Sequence, residues 1–138
     1  MSNKKIYYKK GYKYQLAKDY ECYVNIHPIE AIITKFIELY PTGKLIIKAF
    51  YAWDGPSGPT IDTANFMRGS LIHDALFQLF RECKLNMVWY PQANIELRKA
   101  CLEDGMSEIR AWYIYRSVNK FAASCADPKN DRKILTAP

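Results

Sequence analysis

The chain has 138 residues, 49% hydrophobic and 25% charged, which is enough for a buried core and ordinary for a folded globular protein. Its 20 Lys and Arg outweigh 14 Asp and Glu, and the net charge of +6 suits acidic partners such as phosphate compounds or anionic lipid, or simply a solvated surface. No apolar run approaches the roughly twenty residues that a membrane-spanning helix needs, no CxxC pair marks a zinc site, and Cys22, Cys83, Cys101 and Cys125 are too scattered for a disulfide framework.

The N-terminal third reads as strands. Lys4–Leu16 is rich in Tyr and Ile and is broken by Gly11. Its interleaved Lys and Tyr suit a nucleic-acid contact and suit a basic edge strand equally well. Tyr20, Cys22, Val24 and Ile26 alternate with Glu21, Tyr23 and Asn25, the period of a half-buried strand. Ile32–Tyr40 and Lys44–Tyr51 flank Pro41-Thr42-Gly43, which has hairpin-turn chemistry. These stretches predict an antiparallel sheet of about four strands.

The loop Trp53–Asn65 follows, with Pro56 and Pro59 in its body. Asn65 is expected to cap a helix over Phe66–Cys83, which is apolar at helical spacing. After Pro91 a second helix is expected from Gln92 to Glu103, stopped by Gly105. Ser107 is expected to open a third, Glu108–Ser124. Strands first and helices after them make the class α+β. One globular domain over residues 1–126 and a polar tail over 127–138 are expected. With no signal peptide read at the N-terminus, a cytoplasmic location with reduced thiols is also expected.

The most unusual stretch is Tyr51–Phe80, YAWDGPSGPTIDTANFMRGSLIHDALFQLF. A loop dense in Gly, Pro, Asp, Ser and Thr runs into an apolar helix carrying His73-Asp74. Ionisable groups in such a helix are costly unless paired or used. On a helical wheel His73 shares its side with Gly69, Leu76, Phe77 and Phe80, whereas Asp74 lies in line with Ser70, Gln78 and Arg81. Gly69 and Ser70 are small enough to admit another backbone, and the preceding loop is the expected visitor.

Three mechanisms fit these residues. His73 is a general base while Asp74, Asp54 and loop oxygens bind a divalent cation, calcium or magnesium, or the substrate itself. Alternatively Ser57 is a nucleophile, His73 its base and Asp54 or Asp62 the orienting group, although no helix follows Ser57 as a nucleophile elbow requires. In the third, nothing reacts, and the pair holds the loop as a wall of a binding site. The plainest version of the third is a staple between loop and helix. Candidate ligand-contacting residues are Trp53, Gly55, Ser57, Gly58, Thr60, Asp62, Arg68, Gln78 and Arg81. Arg68, Arg81, Arg98, Arg110 and Arg116 form an anion pocket if they converge, and otherwise meet Glu82, Glu96 and Glu108. Glu103-Asp104 ends a helix where the dipole disfavours acid.

YAWDGPSGP at Tyr51–Pro59, Asp62-Thr63, SLIHDALFQL at Ser70–Leu79, LEDGMSEIRAW at Leu102–Trp112 and GYKYQL at Gly11–Leu16 together resemble the phage-associated domain-of-unknown-function family 1353. Phe77 stands where that resemblance leads one to expect Tyr. The resemblance covers most of the chain and implies a phage or prophage origin and an infected bacterial host. More locally, a Gly-rich loop ahead of a His-Asp helix is similar to the calcium-dependent secreted phospholipases. That likeness implies His73 as base, Asp74 as calcium ligand, and carbonyls near Trp53, Gly55 and Ser57 completing the cage.

The sequence thus leads to the expectation of a small hydrolase acting on an anionic (phospho)ester, with a nucleotide-type signal of bacterial defence or a lipid as substrate. The alternative is a non-catalytic phage protein that sequesters a small anionic ligand or blocks a host protein. A nucleic-acid polymer is not expected as partner.

Overall fold

The structure, a computed structural model, describes residues 5–9, 14–53 and 64–126. They form two compact units, a β unit containing residues 5–53 and a helical unit containing 64–126. Strands precede helices, giving an α+β chain.

The β unit begins with β1 (Tyr8–Lys9) and β2 (Tyr14–Leu16), followed by β3 (Tyr20–Tyr23), β4 (Ile32–Ile33), β5 (Ile37–Leu39), β6 (Lys44–Ile47) and β7 (Ala52–Trp53). Its four-stranded antiparallel sheet has the order β3-β6-β5-β4. Register explains the burial pattern. Tyr20 pairs with Ile47, Cys22 with Leu45, Ile37 with Ile47 and Leu39 with Leu45, so the face that β3, β6 and β5 share is buried, and Ile32 opposite Leu39 is half-buried at its β4 edge. The other face carries Glu21 with Lys44 and Glu38 with Lys48. Gly43 turns the β5–β6 hairpin at a φ of +93°, where a Cβ would lie 2.3 Å from the Val24 carbonyl oxygen.

The structure divides the strands more finely than the sequence pattern does. The expected strand Ile32–Tyr40 is two, folded back at Thr34, whose hydroxyl takes a hydrogen bond from the Ile37 N–H. A second, three-stranded sheet has the order β1-β2-β7, with Tyr14 opposite Trp53 and their rings 5.6 Å apart. The chain reaches β7 through a tight turn in which Phe50 takes a φ of 77°, a strained value for a bulky residue.

The helical unit comprises α1 (Ala64–Arg81), α2 (Tyr90–Glu103) and α3 (Glu108–Ala126). Asn65, the expected cap, lies within the first turn of α1 and accepts instead from Arg110 Nη1 at 3.3 Å. The C-terminus of α1 closes with Lys84 N–H on Leu79 O and Cys83 N–H on Phe80 O, the paired bonds of a Schellman turn. Cys83 occupies its left-handed position at a φ of 59°, where Gly is the usual residue. Pro91 sits in the first turn of α2, where its missing N–H costs nothing. Ser107 caps α3, accepting from the Arg110 N–H at 3.2 Å.

Phe66, Leu97, Cys101, Met106, Ala111 and Ile114 make a buried cluster that joins the three helices. Gly69 is what lets α1 and α2 come this close. A Cβ there would meet Cys101 Sγ at 2.9 Å and Leu97 O at 3.2 Å. The notch read from Gly69-Ser70 is therefore used by α2.

Candidate functional site

The turn of α1 that carries Gly69 against α2 also sets His73 one turn further along the same side. His73 Nε2 lies 2.8 Å from Asn94 Oδ1 on α2. Asn94 Nδ2 in turn donates to Asn119 Oδ1 on α3 at 2.7 Å. This chain of bonds crosses all three helices. Because the Asn94 amide nitrogen donates to Asn119, its oxygen is the acceptor, and these bond directions assign the proton to His73 Nε2. The lone pair then resides on Nδ1, which makes no hydrogen bond among the described residues.

The imidazole stacks on Phe77 at 4.1 Å and 28°. Phe77 is itself held edge-on by Phe80 and Tyr90. Burial against this aromatic wall lowers the His73 pKa to about 4, the bond to Asn94 opposes that shift, and the positive charge of Arg81 adds to it. His73 is therefore neutral at neutral pH. Its Nε2–H is committed to Asn94, and Nδ1 keeps an acceptor lone pair.

Within the helical unit, the other predicted site residues that the structure describes have partners of their own. Arg68 is 2% exposed, and its guanidinium meets acids at the end of α2, with Nε 3.0 Å from Asp104 Oδ2 and Nη2 2.7 Å from Glu103 Oε1. That pairing also answers the unfavourable placement of acid at a helix C-terminus. Gln78 donates to Glu82 at 3.0 Å. Arg98, Arg110 and Arg116 lie over the rings of Tyr115, Phe66 and Trp112. Asp74 is half-buried on α1, and Arg81 ends that helix. Trp53 is buried in the β unit beside Tyr14. Asp54, Gly55, Ser57, Gly58, Thr60 and Asp62 lie outside the described residues. So does the greater part of the ligand set expected for calcium or magnesium. Among the described residues, no three His, Cys, Asp or Glu side chains converge to hold a metal ion.

Asn119 was not legible as a member of this network, whereas Asn94 stood with Asp104 as a candidate for a second partner on the next helices by the phospholipase likeness. Asn94 carried a weak signal, a poor helix former inside a helical run beside Ala93 and Leu97. Cys101 is no candidate nucleophile, because burial and the neighbouring Asp104 push its thiol up to about 12. No helix among the described residues is long and apolar enough to cross a membrane. Compared with protein-family models, curated proteins and solved structures, the chain matches none of them.

Proposed function

We propose that the helical unit holds a small anionic ligand beside His73 without turning it over. The observation that carries this reading is the state of His73, a neutral imidazole anchored through Asn94 to Asn119 and acted on by the charge of Arg81. A base whose conjugate acid titrates near 4 takes a proton from water or a hydroxyl poorly, since general-base efficiency peaks when the pKa lies near the working pH. The Nδ1 lone pair suits recognition of a hydroxyl or N–H group on the ligand instead, and the Arg81 charge favours an anionic group elsewhere on it. In sequence, the Gly-, Pro- and Asp-rich stretch 54–63 runs directly into α1 and offers backbone N–H groups and carboxylates for further contacts. With the phage-family resemblance, the reading becomes a phage protein that withdraws a nucleotide-type defence signal.

A hydrolase is the second reading, favoured by one observation. Nε2 is oriented by an amide while Nδ1 keeps its lone pair, which is the geometry a general base requires. A (phospho)ester substrate brings negative charge that raises the His73 pKa toward a working value. Asp74 and Asp54, with or without calcium or magnesium, then hold the substrate.

Mass spectrometry separates the two. The protein and its His73→Ala and Arg81→Ala variants are incubated with linear and cyclic nucleotides, adenosine-diphosphate-ribose-type signals and phospholipids, with and without calcium or magnesium. Sequestration predicts that one free compound is depleted, is released unchanged by heat, and is not retained by either variant. A product formed by the wild type and not by His73→Ala overturns sequestration in favour of hydrolysis. Neither depletion nor product rejects both, and a host protein becomes the partner to seek.

A further inference from the structure

α3 has two apolar faces, and among the described residues of the helical unit only one of them is packed against other helices. Ala111 and Ile114 are buried in the core cluster with Val118 packed against it. On the other side Ile109 is 82%, Trp112 48% and Tyr113 51% exposed. Glu108 and Arg116, both exposed, lie at the two ends of this stripe. The spacings 109, 112, 113 and 116 follow one helical face. Trp, Tyr and Arg are the residues that dominate protein interfaces, whereas isolated exposed apolar side chains need no partner.

The charges identify the occupant. Arg116 lies over the Trp112 ring, 5.2 Å from its centroid, and Glu108 makes no ion pair among the described residues. The midpoint of 108 and 116 is 112, so a two-fold axis beside Trp112 sets α3 antiparallel to a second α3. Glu108 and Arg116 are eight positions apart, about 12 Å along the helix. The same axis that brings Trp112 against its counterpart therefore brings Glu108 level with the partner's Arg116, twice over. Ile109 falls between the partner's Tyr113 and the partner's Arg116. This self-complementarity, apolar at the centre and oppositely charged at the ends, is what an isologous dimer interface requires.

We propose that the chain forms a two-fold homodimer through the Ile109–Trp112–Tyr113–Arg116 face of α3, with Glu108 pairing across the interface with the partner's Arg116. The test is analytical ultracentrifugation of the whole chain over a concentration series reaching about 1 mM, with circular dichroism as the check on folding. The wild type is expected to move from 16.1 kDa to twice that mass. Trp112→Ala is expected to stay monomeric with an unchanged helical spectrum. Glu108→Arg and Arg116→Glu alone are each expected to weaken the dimer about tenfold or more, since each reversal opposes like charges at two symmetry-related places. The double reversal Glu108→Arg/Arg116→Glu is expected to restore most of the lost affinity. A wild type that stays monomeric throughout overturns the proposal. So does a dimer that survives Trp112→Ala, or one that the double reversal does not rescue.

Discussion

Asn94 is fully buried and uses both ends of its amide, accepting from His73 and donating to Asn119. Asn94→Ala leaves the half-buried His73 donor and the half-buried Asn119 acceptor unmet, each costing about 1–2 kcal/mol, the lower part of the range for full burial. The expected loss of unfolding free energy, read from urea denaturation, is therefore about 2–4 kcal/mol. Asn94→Asp tests the assigned proton more sharply. It places an anion on Nε2–H and should raise the His73 pKa well above its present value of about 4, read by NMR titration. An unmoved pKa would mean that the side chain at position 94 does not face this nitrogen. Sequence reading centred on Asp74 because it adjoins His73, yet adjacent residues on a helix point about 100° apart. The actual partner is 21 positions away, a separation that no local pattern encodes. Cys83 offers a separate test. It holds a left-handed backbone at a φ of 59° with an exposed side chain. Cys83→Gly should stabilise the protein by about 1 kcal/mol, seen as a higher Tm.

At the scale of elements, the α1–α2 contact depends on Gly69. Gly69→Ala would press a methyl group against Cys101 Sγ at 2.9 Å and against the Leu97 carbonyl oxygen at 3.2 Å. The sulfur can move and the backbone oxygen gives less, so a loss of about 1–3 kcal/mol is expected in thermal or urea unfolding. The space at Gly69 was readable because Gly and Ser are conspicuous inside an apolar helix. Its visitor was not, because small residues show that something approaches and not what. Arg68 follows the same pattern. Its charge was visible, but its use was not, since Glu103 and Asp104 come from the far end of the next helix. Arg68→Ala should cost about 1–3 kcal/mol by removing charge-assisted hydrogen bonds to two acids that stay partly solvated. A ligand-contacting arginine, removed, would cost affinity with little change in stability. Helix starts and stops were more legible, because Ser107, Pro91 and Gly105 act through local chemistry. The division of Ile32–Tyr40 into β4 and β5 falls at Thr34-Lys35, a polar pair without the Gly, Pro, Asn or Asp that usually marks a turn.

For the whole molecule, the order of strands and helices was legible from periodicity together with turn and capping residues, which is why the α+β class could be read. The second sheet was less so. β2 and β7 are short, and they pair across more than thirty positions of chain. The whole-molecule consequence of the His73 site is a pH dependence. His73 titrates at about 4 in the folded state and near 6.5 when unfolded, so between those values the unfolded chain binds more protons. The contribution is complete above about pH 6.5 and is lost as the pH falls toward 4, amounting to about 3 kcal/mol. His73→Gln should flatten this part of the stability profile, and a profile unchanged by that substitution would contradict the account.

The most direct test of the central claim is 15N-resolved NMR of the His73 ring from pH 3 to 8. The account predicts a neutral Nε2–H tautomer at pH 7 and a midpoint near 4. A midpoint near the ordinary histidine value of about 6.5, or a proton on Nδ1, would contradict the anchoring through Asn94 and with it the proposal of a ligand site at His73.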